Sequence, residues 1–218
     1  MKKCISLILL SFTCTISLNA SPIDSISTIY KNGEFVTYSR VWVNATTNTC
    51  ESVCDDFAYQ MCYNLDALFC WGLKGMNLRK EKKELLMFYF KSTSFNKNVN
   101  ILQSIGDVMV PGVITVPNIS ISCLLTTKNS PNGKRTANMD LISSNGFVKK
   151  MNTSFSLILQ KEKGNWFTLE VHTQFGWFFN VFITQSRYKE SMEWRLKQYI
   201  HNLKNEAEKR ERTLNLNK

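Results

Sequence analysis

Two histidines, His172 and His201, are the side chains of this 218-residue chain able to exchange a proton near neutral pH. An acid–base enzyme would set one of them beside a carboxylate, and Asp140 is the partner to test with His172, since both fall in strand-like segments. Asp107 lies near another strand. Asp55 and Asp56 adjoin on a helical segment, where consecutive side chains face different directions and cannot act as a pair. The sequence holds no G-x-S-x-G elbow, no H-E-x-x-H and no glycine-rich phosphate loop. On these grounds no catalytic residue and no cofactor is assigned.

Cysteine is the other reactive side chain. Seven are present, and Cys50, Cys54, Cys62, Cys70 and Cys123 lie beyond the amino-terminal twenty residues. Five is odd, so an oxidising compartment would leave at least one thiol free or paired between chains. Cys50 and Cys54 stand one helical turn apart, and Cys54, Cys62 and Cys70 recur every eight residues. A zinc site ordinarily uses a C-x2-C knuckle, and the chain has none, so no metal site is assigned. Two readings stay open: small apolar residues on an amphipathic helix, or a disulfide among Cys50, Cys54, Cys62 and Cys70.

The amino terminus reads as an address. Lys2 and Lys3 precede an apolar run from Ile5 to Leu18 that ends at Leu18-Asn19-Ala20, the layout of a cleaved signal peptide spanning residues 1–20. The run is short against the ~20 apolar residues a spanning helix needs, so no integral membrane span is expected after cleavage. Ser11-Phe12-Thr13 before Cys14 is a poor lipidation signal. The short basic start looks bacterial, which implies a periplasmic or secreted protein. Asn44-Ala45-Thr46, Asn118-Ile119-Ser120 and Asn152-Thr153-Ser154 match the glycosylation sequon and leave a eukaryotic secreted protein as the alternative.

With 27 Lys and Arg against 17 Asp and Glu the chain is basic by +10, and by +8 once Lys2 and Lys3 are gone. The excess is dispersed. Residues 187–218 mix nine basic side chains with five Glu, the pattern of a solvated helix face. A basic patch interleaved with aromatics is absent there, and nucleic acid is not an expected partner. A 44% hydrophobic composition excludes disorder of the whole chain, and the length suits one domain with its own core.

After a polar leader over residues 21–33, residues 34–43 are rich in aromatic and β-branched types and read as a strand. Asn48 and Glu51 resemble a capping box. Cys50, Cys54, Phe57, Met61, Leu65 and Leu68 then recur at helical spacing, with a break near Asn64 or Gly72. A charged turn at residues 79–84 leads into a buried strand at 85–90. Five further strands follow at residues 100–110, 117–126, 137–143, 147–160 and 166–174, separated by Gly- and Asn-containing turns. Residues 186–212 change to a period of 3.6, with Met192, Leu196, Tyr199, Ile200, Leu203 and Ala207 on one face. An aromatic link, Phe175 to Phe182, joins sheet to helix.

A strand, a helix, six strands and a long terminal helix, with that aromatic link before Trp194-Arg195-Leu196, resemble the helix-grip fold of START and SRPBCC-type proteins. The resemblance implies an α+β domain over residues 34–212, followed by a tail at 213–218, in which a curved antiparallel sheet of about seven strands (β-α-β6-α) wraps the terminal helix. It implies a cavity for a hydrophobic small molecule or lipid, lined by Trp177, Phe179, Met192, Leu196, Tyr199 and Ile200. The alternatives are a non-catalytic structural or interaction module of the cell envelope, and a cyclase- or hydrolase-like enzyme on the same fold.

Overall fold

The computed structural model describes residues 24–75, 87–131, 133–160 and 164–216. The signal segment, the charged turn at 79–84 and the first two residues of the strand expected at 85–90 lie outside them. Eight strands form one antiparallel sheet: β1 (Ser25–Lys31), β2 (Glu34–Val43), β3 (Met87–Asn96), β4 (Ile101–Val110), β5 (Ile114–Asn129), β6 (Lys134–Ser144), β7 (Val148–Leu159) and β8 (Asn165–Phe175). Their order is β1-β2-β8-β7-β6-β5-β4-β3, so the sheet is open, with β1 and β3 at its edges. The helices are α1 (Thr47–Tyr63), α2 (Leu65–Cys70), α3 (Trp177–Asn180) and α4 (Gln185–Leu216). A curved, unclosed sheet holding a long carboxy-terminal helix is the helix-grip architecture.

The polar leader contributes a strand. Residues 25–31 pair with β2 from Ser25↔Arg40 to Lys31↔Glu34, which makes eight strands where seven are expected. Asn32 and Gly33, both at positive φ, close that hairpin, a conformation Asn and Gly adopt at little cost. The cap of α1 also differs. Thr46, not Asn48, stands at the N-cap and accepts from the Thr49 backbone N–H at 3.4 Å. The break after α1 falls at Asn64, whose side chain accepts from Ala67 N and starts α2.

Alternation decides what each face carries. Along β2, Phe35, Thr37, Ser39, Val41 and Val43 are buried while the residues between them are half-exposed. Pairing continues this inner face into Phe167, Leu169, Val171 and Phe175 of β8. Helix α4 packs there with Leu196, Ile200, Leu203 and Ala207, and Cys50 and Val53 of α1 join the same cluster. A second cluster at the other end of the inner face gathers Phe35, Val108, Ile119, Phe147, Phe179 and Tyr188.

Polar contacts fasten the end of α4 to the β2–α1 corner. The Glu211 carboxylate accepts from Thr46 N at 3.0 Å, Thr46 Oγ1 at 2.8 Å and Thr49 Oγ1 at 2.6 Å, so a negative charge sits at the amino terminus of α1. Glu208 accepts from Asn44 N, and Arg210 donates to Asp56 at 2.5 Å. Asn165, 1% exposed, donates from Nδ2 to the Ala45 carbonyl at 2.9 Å and ties the start of β8 to the same corner.

Register shifts at Phe90/Ser92, Gly106/Val108, Ser122/Cys123 and Val148/Lys150 bend the sheet around the helices. At Gly106 a Cβ would lie 2.2 Å from the Tyr89 carbonyl oxygen, a backbone atom that cannot swing aside. Gly106→Ala is expected to destabilise the fold by about 1–3 kcal/mol in urea unfolding, because the added methyl forces strands β3 and β4 apart.

Candidate functional site

The inner face is unevenly covered. Helix α4 packs on β1, β2 and β8, while α1 reaches β3 and β7. Between the two clusters, β5, β6 and β7 present Leu125, Met139 and Thr153 at inward positions, in register Leu125↔Met139↔Thr153. All three are half-buried, and none belongs to either cluster. Ile121, Leu141 and Met151 flank them on one side and Phe155 on the other, each also half-buried. The arrangement is an apolar trough across the sheet, walled by a sealed cluster at each end.

Met192 of α4 contacts both clusters and borders this trough. Tyr199, half-buried, stacks edge-on against Phe57 of α1 at 5.2 Å, and burial holds its phenol far above the usual range. Leu196 and Ile200 are sealed in the first cluster, 7% and 1% exposed, and Phe179 in the second, edge-on to Phe147 at 4.9 Å. Trp177 does not join them, being 83% exposed. Of the lining expected from α4 and the aromatic link, Met192 and Tyr199 are half-buried, Met192 packing against both clusters and Tyr199 against the first. The sheet residues Met139, Leu125 and Met151 were not anticipated. Their signal in the sequence was slight: inward positions occupied by flexible or small side chains where β2 and β8 carry Val, Leu and Phe.

One polar spot lies buried beside the second cluster. Tyr188, stacked on Phe35 at 4.0 Å, lies by Thr37 and Thr173, and burial pushes its hydroxyl up to about 12. Thr37 shares a 3.0 Å hydrogen bond with Thr28.

The histidine and carboxylate considered for catalysis stand on the outer face. Asp140, Asn152 and His172 lie side by side across β6, β7 and β8, around a surface depression of about 420 Å³ also lined by Lys150, Leu141 and Met151. Paired residues of β6 and β7 end at Asp140↔Asn152, so the strands part at this depression. Leu141 and Met151, which line it, also pack against the second cluster. Asp140 accepts from Asn152 Nδ2. His172 contacts Glu170 at 2.7 Å through Nε2 and Glu34 at 3.3 Å through Nδ1, so both ring nitrogens are engaged. Glu34 is held below the usual carboxylate range, first by its bond to Lys150 and despite partial desolvation. His172 and Asp140 are thus neighbours in one polar row, each satisfied by another side chain.

All five described cysteines are unpaired thiols. Burial pushes the Cys50 thiol up to about 12 and that of Cys123 to about 11, and it raises Cys54 further. Asn165 moderates the effect at Cys50 through its bond to Sγ. Among the described residues, no three His, Cys, Asp or Glu side chains gather as metal ligands would. Cys70 is exposed, its thiol donating to the Asp66 carbonyl. Treatment of the native protein with a thiol-specific reagent at pH 8, followed by peptide mass mapping, should modify Cys70 first. Cys50, Cys54 and Cys123 should react only after denaturant is added, since protonated and buried thiols are poor nucleophiles.

No protein-family model and no curated protein matches the chain. Among solved structures, it is similar to a STAR-related lipid transfer protein from Xanthomonas axonopodis, at 12% identity and a TM-score of 0.48, over 84% of this chain and 98% of that one. It is similar also to a START superfamily protein from Mycobacterium smegmatis, at 12% identity and 0.43, over 82% and 98%. Truncated norcoclaurine synthase from Thalictrum flavum aligns at 11% identity and 0.45, over 84% and 96%. At these identities the likeness concerns the path of the chain alone.

Proposed function

We propose that this chain is an exported binding protein that holds a hydrophobic small molecule or lipid against the inner face of its sheet. The observation that carries the reading is the half-buried row Leu125, Met139 and Thr153, lying between two sealed clusters and covered by neither. A core closed for stability alone would fill such a trough with bulky side chains, because apolar area left accessible forgoes roughly 25 cal/mol per Å². An apolar ligand gains that burial instead, and Met139, Met151 and Met192 are side chains that conform to varied shapes. Export rests on residues 1–20, with their basic start, apolar run and small residue before Ser21.

Binding of the probe dansyl-undecanoic acid, followed by its fluorescence, is expected to saturate with the wild-type protein. Met139→Arg, which sets an unpaired charge in the trough at a position outside both clusters, should weaken that binding by at least about tenfold with unchanged circular dichroism. Equal affinity for both proteins would place the probe elsewhere and remove the reading. Mass spectrometry of the protein recovered from the periplasm or medium of an expressing bacterium should find an amino terminus at Ser21.

A further inference from the structure

The aromatic link contains a side chain that the core does not use. Trp177 is 83% exposed and Val181 72% exposed, although Phe179 between them is buried. Helix α3 thus turns one edge into the second cluster and offers a large aromatic and a valine to its surroundings. Isolated exposed apolar residues need no explanation. These two are not isolated.

Strands β4, β6 and β8 run in the same direction and end at the same edge of the molecule. Four connections meet there: the β1–β2 turn, the β4–β5 turn, the β6–β7 turn and the link through α3. Gly176 donates to the Phe147 carbonyl at 3.1 Å, which sets α3 against the β6–β7 turn, and Val110 shares the second cluster with Phe179. The tip of the β4–β5 turn adds Val113, 50% exposed, and Ile114, 39% exposed.

Charge at this end is mostly positive. No Asp or Glu occurs between Asp107 and Asp140, between Asp140 and Glu162, or between Glu170 and Glu190. The β4–β5 and β6–β7 turns and the α3 link therefore carry no carboxylate, and the starts of β7 and α4 bring exposed Lys149, Arg187 and Lys189, with one exposed carboxylate, Glu190, beside Lys189. The carboxylates nearest in the strands are tied down: Asp107 to Lys91 at 2.6 Å and Glu34 to Lys150 at 2.9 Å. At the opposite end, around the β2–α1 corner, Glu51, Asp55, Asp56, Glu208 and Glu211 accumulate.

From this coincidence of protruding apolar tips and a cationic rim, we infer that the α3 end of the molecule is a peripheral docking surface for an anionic phospholipid bilayer. Trp177, Val181 and the Val113–Ile114 tip enter the headgroup region, where an indole is at home, while Lys149, Arg187 and Lys189 meet lipid phosphates. Among the described residues no helix is long and apolar enough to cross a membrane, so the contact is one of lying on the surface. The surface stands apart from the inner trough, and its test separates the two.

The full chain is mixed with vesicles of phosphatidylcholine containing 30% phosphatidylglycerol, or of phosphatidylcholine alone, and sedimented. Co-sedimentation with the anionic vesicles, with weakening as salt is raised, is the expected result. Trp177→Ala with Val181→Ala should lower the bound fraction roughly tenfold, as should Lys149→Glu with Arg187→Glu and Lys189→Glu. All five side chains are exposed, so folding should be unaffected. Met139→Arg should sediment like the wild type even when it no longer binds the probe. Failure of the wild type to sediment, equal sedimentation with neutral vesicles, or variants that sediment undiminished would each overturn the assignment.

Discussion

One helix is narrower than the sheet it covers. An α-helix with its side chains is about 10–12 Å across, whereas eight strands spaced about 4.8 Å apart present nearly 40 Å of inner face. Helix α4 accordingly rests on β1, β2 and β8, and the remaining strands must curve toward it or stay open. The bulges in β3, β5, β6 and β7 supply the curvature. Even so, the middle of β5 to β7 is left with half-buried Leu125, Met139 and Thr153. The trough follows from this mismatch in width.

Where α4 lies is decided by directional contacts as much as by apolar burial. Leucines on a helix face will pack on any apolar sheet, but Glu211 finds three donors only at the amino terminus of α1, and Arg210 finds Asp56 beside it. Asn165, buried and bonded to the Ala45 carbonyl, makes the same corner rigid from the side of the sheet. The helix is thus fixed at its carboxy-terminal half, and Met192, nearer its other end, is the residue that meets both clusters.

Much of this architecture was legible in residue order. The strands β4 to β8 are signalled by β-rich runs between Gly- and Asn-containing turns, and the terminal helix by its change to a period of 3.6. Strand β1 was hidden because SISTIYK has few apolar residues; it is a strand by virtue of pairing with Glu34 to Arg40 of β2, a tertiary fact. The cap at Thr46 was missed for a similar reason, because Glu211, 165 residues away, helps select it over Asn48. The site was less legible than the fold. Period tells which way a side chain points, not whether anything covers it. Leu196 and Ile200, on the expected lining face, are sealed, Trp177 is outside, and Met139 is where the cover stops.

The interrupted register of β3 has a meaning for the molecule among its own copies. An open sheet leaves the backbone groups of its outermost strands available to any passing extended chain, and a straight apolar edge invites fibrous stacking. In β3 the ladder breaks between Phe90 and Ser92, and the residue at the break is Lys91, whose ammonium is held by Asp107 and Asn118. A second chain laid along that edge would lose its alignment halfway and meet a charge at the step. The irregularity that helps bend the sheet toward its helix therefore also guards an unclosed structure against polymerisation.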